Sequence, residues 1–476
     1  MRIIDRIYID GEFVAPHGEE LFDLINPATA QVIGKVTLGD REDTLRAIAA
    51  AKRAFPAFSR TSKAERVELL RRLDAAVTPR LAALNAAMML EYGAPAMIAE
   101  MLNGYAMGAF KNATQVLEAY EFSRWIRDAE VVMEPLGVVG IITPWNSNAG
   151  FICGKLAMAV AAGCTSVIKP SEMSAIQTQV LVEALHEAGL PPGVFNVVNG
   201  RGEVVGAELS ANPDIAKISF TGSTVVGKAI LRAGAETMKR VTLELGGKSP
   251  TLILDDADFA QAVPLALMAG FGNSGQACIA GTRILVPEGR LDEFLPMIKA
   301  AAEGVKVGDP GDPTVRIGPM VSVKQWERVQ GYIRKGIEGG ATLLAGGLGR
   351  PEGLEAGYFV RPTVFADVTN DMTIAREEIF GPVLSVIAYR TEAEAIEIAN
   401  DTPYGLQAYV LSADPERARG VAAQLAAGRV LINGLYHEPL APFGGFKQSG
   451  LGREMGVFGL EAHMEPKTVL GRRRAA

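Results

Sequence analysis

From about residue 136 onward, short apolar runs alternate with segments whose apolar positions recur at helical spacing. "GVVGIIT", rich in β-branched residues, predicts a buried strand. "NAGFICGKLAMAVAAG" predicts a helix with Gly163 as its C-terminal stop, and "TSVIK" predicts the next strand. Ser174 and Gln177 have the spacing of a capping box. Behind them Ile176, Val180, Leu181, Ala184 and Leu185 repeat with helical period until "GLPPG" ends the pattern. "VFNVV", "IAKISF" and "RVTLEL" predict further strands with helices between them. Strands alternating with helices imply crossover connections, hence a parallel sheet covered on both faces, with ligands taken at the strand ends.

A second series follows "LELGGKSP": the strand "TLIL", a helix from about Phe259, a small-residue loop, then "TRILVP", "PVLSVIAY" and "GRVLING". The Gly246-Gly247 turn is therefore read as a domain boundary. Residues from about Glu118 to Pro135 form an excursion before the first buried strand. "EAHMEPKTVL" reads as an edge strand, and an unpaired edge seeks a partner, so an oligomer is expected.

A chain of 476 residues is long enough for two or three domains, and its 48% apolar and 21% charged residues suit a folded protein. The 54 acidic and 47 basic residues leave a net charge of -7 without a long basic run, which disfavours nucleic acid as a partner. "RRR" at Arg472 to Arg474 reads as a solvated end. The N-terminus lacks a secretory pattern, and the longest apolar stretch, between Lys155 and Lys169, is too short to span a membrane. Three cysteines do not make a disulfide framework, so a reducing cytoplasm is expected. Four histidines and three cysteines show no metal-ligand spacing, and no metal is expected.

Several strand ends carry chemistry, each with a plain alternative. In "SFTGSTVVGKA", Gly222 and Gly227 bracket the start of a helix, whose free N–H groups suit a pyrophosphate; an ordinary strand-to-helix turn fits equally. Lys169 and Glu172 of "IKPSE" could bond the hydroxyls of a ribose, or be exposed loop charges. Glu244 lies between Leu243 and Leu245, where desolvation raises a carboxyl toward the range of a general base; otherwise it bonds the glycine amides beside it. Asn146 of "TPWN" could stabilise an oxyanion or cap the next helix, while Trp145 reads as a wall residue. In "GNSGQACIAG", Gly272, Ser274, Gly275 and Ala277 let backbone N–H groups approach Cys278 and favour its thiolate; the alternative is an inert packing cysteine.

The order and spacing of "TPWN", "IKPSE", "FTGSTVVG", "LELGGKSP", "GQACIAG", "EEIFGPV" and "APFGGFKQSGLGRE" resemble the NAD(P)-dependent aldehyde dehydrogenase superfamily over nearly the whole chain. The resemblance implies an α/β fold with a Rossmann-type cofactor domain, an α/β catalytic domain and a small β oligomerisation ribbon. The domain limits it suggests are 1–117 and 136–245 for cofactor, 246–445 for catalysis, and 118–135 with 446–476 for ribbon and tail.

It also implies oxidation of an aldehyde to an acid through a thiohemiacetal and a thioester on Cys278. Asn146 would hold the oxyanion, Glu244 would activate water, and Lys155 and Glu454 would relay protons. For the cofactor, the matching positions at the first two strand ends are Thr143, Pro144, Trp145, Lys169, Ser171 and Glu172. Gly202 follows, and the pyrophosphate end corresponds to Phe220, Thr221, Gly222, Ser223 and Gly227. Leu245 and Gly246 adjoin Glu378 and Phe380, which match the clamp on the nicotinamide ribose. Glu172 at the 2′-hydroxyl favours NAD over NADP, because a carboxylate repels a 2′-phosphate.

Phe443 matches a wall of the aldehyde tunnel. Where many members follow "PWN" with an aromatic residue and proline, this chain has Ser147, Asn148 and Gly150. These, with His437 and Glu438, are expected to make the tunnel entrance wider, more polar and charged, unless they face solvent. A small-molecule aldehyde as partner, a homodimer or homotetramer, and no membrane association complete the expectation. A coenzyme-A-acylating relative would lack the need for Glu244. A catalytically silent one would not need Cys278, Glu244 and Asn146 together.

Overall fold

The computed structural model describes residues 2–471, so the expectation for Arg472 to Arg474 lies outside the described residues. Its central feature is an eight-stranded sheet whose five middle strands are parallel. From one side these are Arg240–Glu244, Ile215–Thr221, Val138–Ile142, Thr165–Lys169 and Phe195–Val197. The chain starts at Val138–Ile142, moves outward through the strands at 165 and 195, then returns to build the other half. Val138–Ile142 is thus the point where winding reverses, the usual place for a ligand crevice. All five of its residues are buried, as the β-branched run requires.

The helix Asn148–Ala162 follows this strand and ends at Gly163, whose φ of 88° is the left-handed conformation a glycine adopts without penalty. The helix Ala175–Glu187 ends before "GLPPG" as expected. Its N-terminus differs from the expected capping box. The Ser174 side chain makes no cap bond to the helix. Instead Glu91, at the end of the helix Leu81–Glu91, accepts from the Ile176 and Gln177 N–H groups at 2.8 Å each. A remote carboxylate does what the local sequence offered to do.

A second sheet of seven strands begins just after Gly246-Gly247. Its order is Thr342–Ala345, Thr363–Ala366, Val383–Tyr389, Arg283–Pro287, Pro250–Ile253, Gln407–Leu411 and Arg429–Ile432. Only Thr342–Ala345 runs antiparallel to its neighbour. Separate apolar clusters fill the two lobes, one including Leu156, Leu181 and Leu185, the other Phe259, Ile284 and Phe294.

Two small sheets complete the fold. One is formed by Arg2–Ile4, Gln31–Leu38 and Glu20–Asn26. In the other, Ala129–Pro135 pairs antiparallel with Ser123–Ile126 on one side and with the late strand Met464–Leu470 on the other. The limit drawn at 446 hides one detail: Gly450–Leu451 pairs antiparallel with Arg240–Glu244, so this stretch belongs to the first sheet. Among the described residues no helix is long and apolar enough to cross a membrane.

Candidate active site

Cys278 lies in the loop between the helix Phe259–Phe271 and the strand Arg283–Pro287, and is partly exposed. Its approach is unusual. Asn273, Ser274 and Gly275 have φ of 54°, 57° and 70°, three successive left-handed residues. Two non-glycine residues in that region persist only when neighbours impose it. Tyr92 donates to Asn273 Oδ1 at 2.8 Å, the Gly318 N–H donates to Ser274 Oγ at 2.9 Å, and the Val321 N–H donates to Gln276 Oε1 at 3.0 Å. A Cβ on Gly275 would run into the Gly381 carbonyl. Sequence reasoning did not single out Tyr92, Asn273 or Gln276; the polar character of "GNSGQ" was the available signal.

Asn146 joins this loop from the end of Val138–Ile142, its Nδ2 donating to the Gln276 carbonyl at 2.9 Å. The amide is buried beside the Cys278 segment. Trp145 stacks edge-on against Phe380, with ring centroids 5.5 Å apart, and closes the wall between the two lobes.

Glu244 ends the strand Arg240–Glu244 fully buried, and neither carboxylate oxygen finds a hydrogen bond. The dull alternative, bonding to the glycine amides, is therefore absent. Burial first, and the Glu454 carboxylate second, push its pKa well above the ordinary value, against the pull of Lys155 and Arg453. Both Glu244 and Glu378 act on Cys278. Burial and then these two carboxylates push its thiol up to about 12, against Arg429 and its own N–H. The local N–H does favour the thiolate, as expected, but desolvation and the carboxylates outweigh it.

Behind Glu244 a polar layer continues down the sheet. Strand register pairs Thr221 with Glu244, Ser219 with Thr242, and Lys217 with Arg240. Lys155 bonds Ser219 Oγ at 3.2 Å and also Glu454. Lys217 donates to Thr242 Oγ1 at 2.5 Å, and burial brings its pKa down to about 8.

Most of the expected cofactor positions follow the C-terminal ends of the parallel strands Val138–Ile142, Thr165–Lys169, Ile215–Thr221 and Arg240–Glu244. Lys169 donates to Glu172 at 3.0 Å, and Arg201 lies 3.8 Å from Glu172 while donating twice to Glu20. Ser171 accepts from the Met173 N–H, and the next crevice segment, Gly202–Gly206, starts at Gly202. Ser223 caps the helix Thr224–Ala235 by accepting from the Val226 N–H at 3.4 Å. Gly227 lets that helix close on Leu245, and at Gly222 a side chain would strike the Phe220 ring. Thr221 Oγ1 is buried without a partner. Thr143 and Pro144 continue the first strand end, with the Thr143 N–H on the Lys169 carbonyl. Glu378 accepts from the Gly247 N–H at 3.0 Å, and its pKa is pushed up to about 7 by burial. A Cβ on Gly246 would collide with the Glu378 carboxylate. Free helix N–H groups, an orphaned hydroxyl and a glycine cradle beside a carboxylate fit a dinucleotide.

The tunnel residues divide. Phe443 lies under the Arg429 guanidinium, 5.0 Å from its ring centroid. His437 packs edge-on against Tyr105 and bonds Arg429 at 2.5 Å. Burial, then Arg429, bring its pKa down to about 4, so it adds no charge at neutral pH. Asn148 is a correction. It is completely buried, donates to Thr178 Oγ1 at 3.0 Å and pins two helices together, so it neither lines an entrance nor faces solvent. Among the described residues no group of three or more His, Cys, Asp or Glu is arranged to hold a metal ion.

The model of the aldehyde dehydrogenase family matches residues 13–469. The chain is 48% identical to a 3-succinoylsemialdehyde-pyridine dehydrogenase of a Pseudomonas species, over 99% of both chains. Among solved structures it resembles aldehyde dehydrogenase C of Pseudomonas syringae, a cysteine-to-alanine mutant in complex with NAD+ and octanal. The identity is 45%, the TM-score 0.97, and the match covers 99% of this chain and 98% of that one. A Mycobacterium tuberculosis aldehyde dehydrogenase complexed with NAD+ matches with 40% identity and a TM-score of 0.97, over 100% of this chain and 99% of that one.

Proposed function

Because the chain belongs to the aldehyde dehydrogenase family, we propose that it oxidises an aldehyde to the carboxylic acid with NAD, using Cys278 as nucleophile and Glu244 as base. The observation that carries this reading is the orphaned, fully buried Glu244 carboxylate acting on the Cys278 thiol. A carboxylate with no partner and a raised pKa is poised to take a proton from water near neutral pH.

The Cys278 sulfur adds to the aldehyde carbon, and the Asn146 amide and the Cys278 N–H stabilise the resulting alkoxide. Removing such a donor costs roughly 100- to 1,000-fold in rate. NAD, when bound, supplies the hydride acceptor that turns the adduct into a thioester. Glu244 then deprotonates the water that hydrolyses it, and Lys155 with Glu454 receive the proton into the polar layer. Burial, then the Glu378 and Glu244 carboxylates, push the Cys278 thiol up to about 12, so its proton must be taken up as the sulfur adds. Thr221, Ser223 and Glu378 would hold the dinucleotide. Lys169 and Glu172 would bind its adenosine ribose. Glu172 favours NAD over NADP, since its carboxylate repels a 2′-phosphate and both neighbouring cations are already engaged, Lys169 by Glu172 itself and Arg201 by Glu20.

Cys278→Ser tests the reading: it should abolish NADH formation with any aldehyde while NAD binding, followed by tryptophan fluorescence, persists. A serine variant that turns over at the native rate overturns it. Efficiency with NADP equal to that with NAD would overturn the cofactor preference. The three-stranded ribbon, with Trp125, Ile126, Val469 and Leu470 partly or largely exposed, supports a homo-oligomer, which light scattering measures directly. All three cysteines are free, and a reaction that needs a reduced Cys278 suits a reducing cytoplasm.

A further inference from the structure

Arg429 opens the edge strand Arg429–Ile432 of the second sheet, in a segment read from sequence only as part of the second α/β series. Its guanidinium is largely enclosed. Nε donates to Gln407 Oε1 at 2.6 Å, Nη1 bonds His437 Nδ1 at 2.5 Å, and the plane lies over Phe443. Three of its five N–H donors have no partner among the described residues. The groups that act on it are the Tyr409 and Tyr105 hydroxyls and the Cys278 thiol, and none is a carboxylate. Two other enclosed cations near the site are handled differently: Lys155 has Glu454, and Arg283 donates to the Lys248, Ile398 and Ala399 carbonyls.

A half-desolvated cation without a counter-ion is costly, and a planar guanidinium with free donors matches a carboxylate in geometry as well as charge. His437 is neutral and accepts from Arg429, so the pair carries a single positive charge. Phe443 and Tyr105 give the same place apolar walls, and Tyr105 is partly exposed, which leaves a way in from solvent. Cys278 is close by: Gln407, which holds the Arg429 Nε, also bonds Tyr409, whose hydroxyl donates to the carbonyl of Ile279, the residue after Cys278.

We propose that Arg429 binds a carboxylate on the substrate, and that the preferred aldehydes are semialdehydes of short dicarboxylic acids, bound with the aldehyde at Cys278 and the acid on the guanidinium. The inference rests on the reading of Cys278 as the nucleophile. It assigns Arg429 as a specificity residue, with His437 and Gln407 fixing the guanidinium plane.

The experiment compares kcat/KM for the semialdehyde of a four- or five-carbon dicarboxylic acid with that for the unsubstituted aldehyde of equal length, at saturating NAD. The acid should be favoured roughly 10- to 100-fold, the worth of hydrogen bonds to a charged group. Arg429→Gln should collapse that ratio, mainly by raising KM for the acid, and Arg429→Lys should keep part of it. A wild-type protein that oxidises both aldehydes with equal efficiency overturns this inference alone. So does a ratio that survives Arg429→Gln, or a parallel loss with both aldehydes in a variant of native circular dichroism, which would assign Arg429 to the thiol instead. A wild-type protein that oxidises neither aldehyde overturns the proposed function as well.

Discussion

Glu91 and Glu244 are both fully buried glutamates at the ends of regular elements, and burial raises both. Their surroundings differ in one respect. Glu91 accepts two backbone N–H bonds of 2.8 Å at the start of the helix Ala175–Glu187, where the helix dipole also favours a carboxylate. Glu244 accepts none. Burial therefore does not separate a structural carboxylate from a reactive one; the presence of fixed donors does. A carboxylate whose lone pairs are taken holds structure, and one whose lone pairs are free is available to a proton.

The contrast can be broken most severely at Glu244. Glu244→Gln should lower steady-state turnover by about 100- to 10,000-fold while a first burst of NADH survives, read by stopped-flow absorbance. Glu91→Gln should leave turnover per folded molecule near native. Equal losses at both sites would erase the distinction. A smaller effect concerns the thiol. At pH 9, Glu244→Gln removes a negative charge that opposes Cys278 ionisation, so alkylation by iodoacetamide should quicken about 3- to 10-fold, equivalent to half to one pKa unit. Gly246→Ala places a methyl against Glu378 and should raise KM for NAD about tenfold.

At Glu91 the expected effect is on stability. Glu91→Ala strands two buried N–H donors and should cost about 1–3 kcal/mol, seen as a lower urea midpoint with activity retained below it. The finest test is pH. Glu91 is raised from 4.5 to about 8, so between those values the folded form keeps a proton that the unfolded chain has released. Its contribution therefore falls as pH rises across that window, and Glu91→Gln should flatten this part of the profile of midpoint against pH.

The same contrast shows which parts of the molecule were legible in the sequence. The strands "GVVGIIT", "TSVIK" and "IAKISF" were readable because a doubly covered parallel strand is mostly apolar, and Gly163 because a helix stop needs a left-handed residue. The cap on Ala175–Glu187 was not, because the accepting carboxylate of Glu91 lies 85 positions away from Ile176 in the chain. Asn148 misled for a related reason: a polar residue after "PWN" suggests a wet entrance, whereas Thr178 on a neighbouring helix satisfies it internally. Cys278, Glu244 and Asn146 stood out as residue types at strand and loop ends. Which of them carried partners depended on packing between distant segments. Arg429 was hidden because one charge in an apolar strand looks like an edge residue until its counter-ion is found missing.

The loop before Cys278 is held from three directions, by Tyr92 at Asn273, by Gly318 at Ser274 and by Val321 at Gln276. Such a tripod makes aim a collective property: loosening any one leg shifts the sulfur without touching it. Loss-of-function changes far from the substrate should therefore gather around Tyr92, just past the helix Leu81–Glu91, and on the 318–321 connection, where a survey of binding-pocket residues alone would never look.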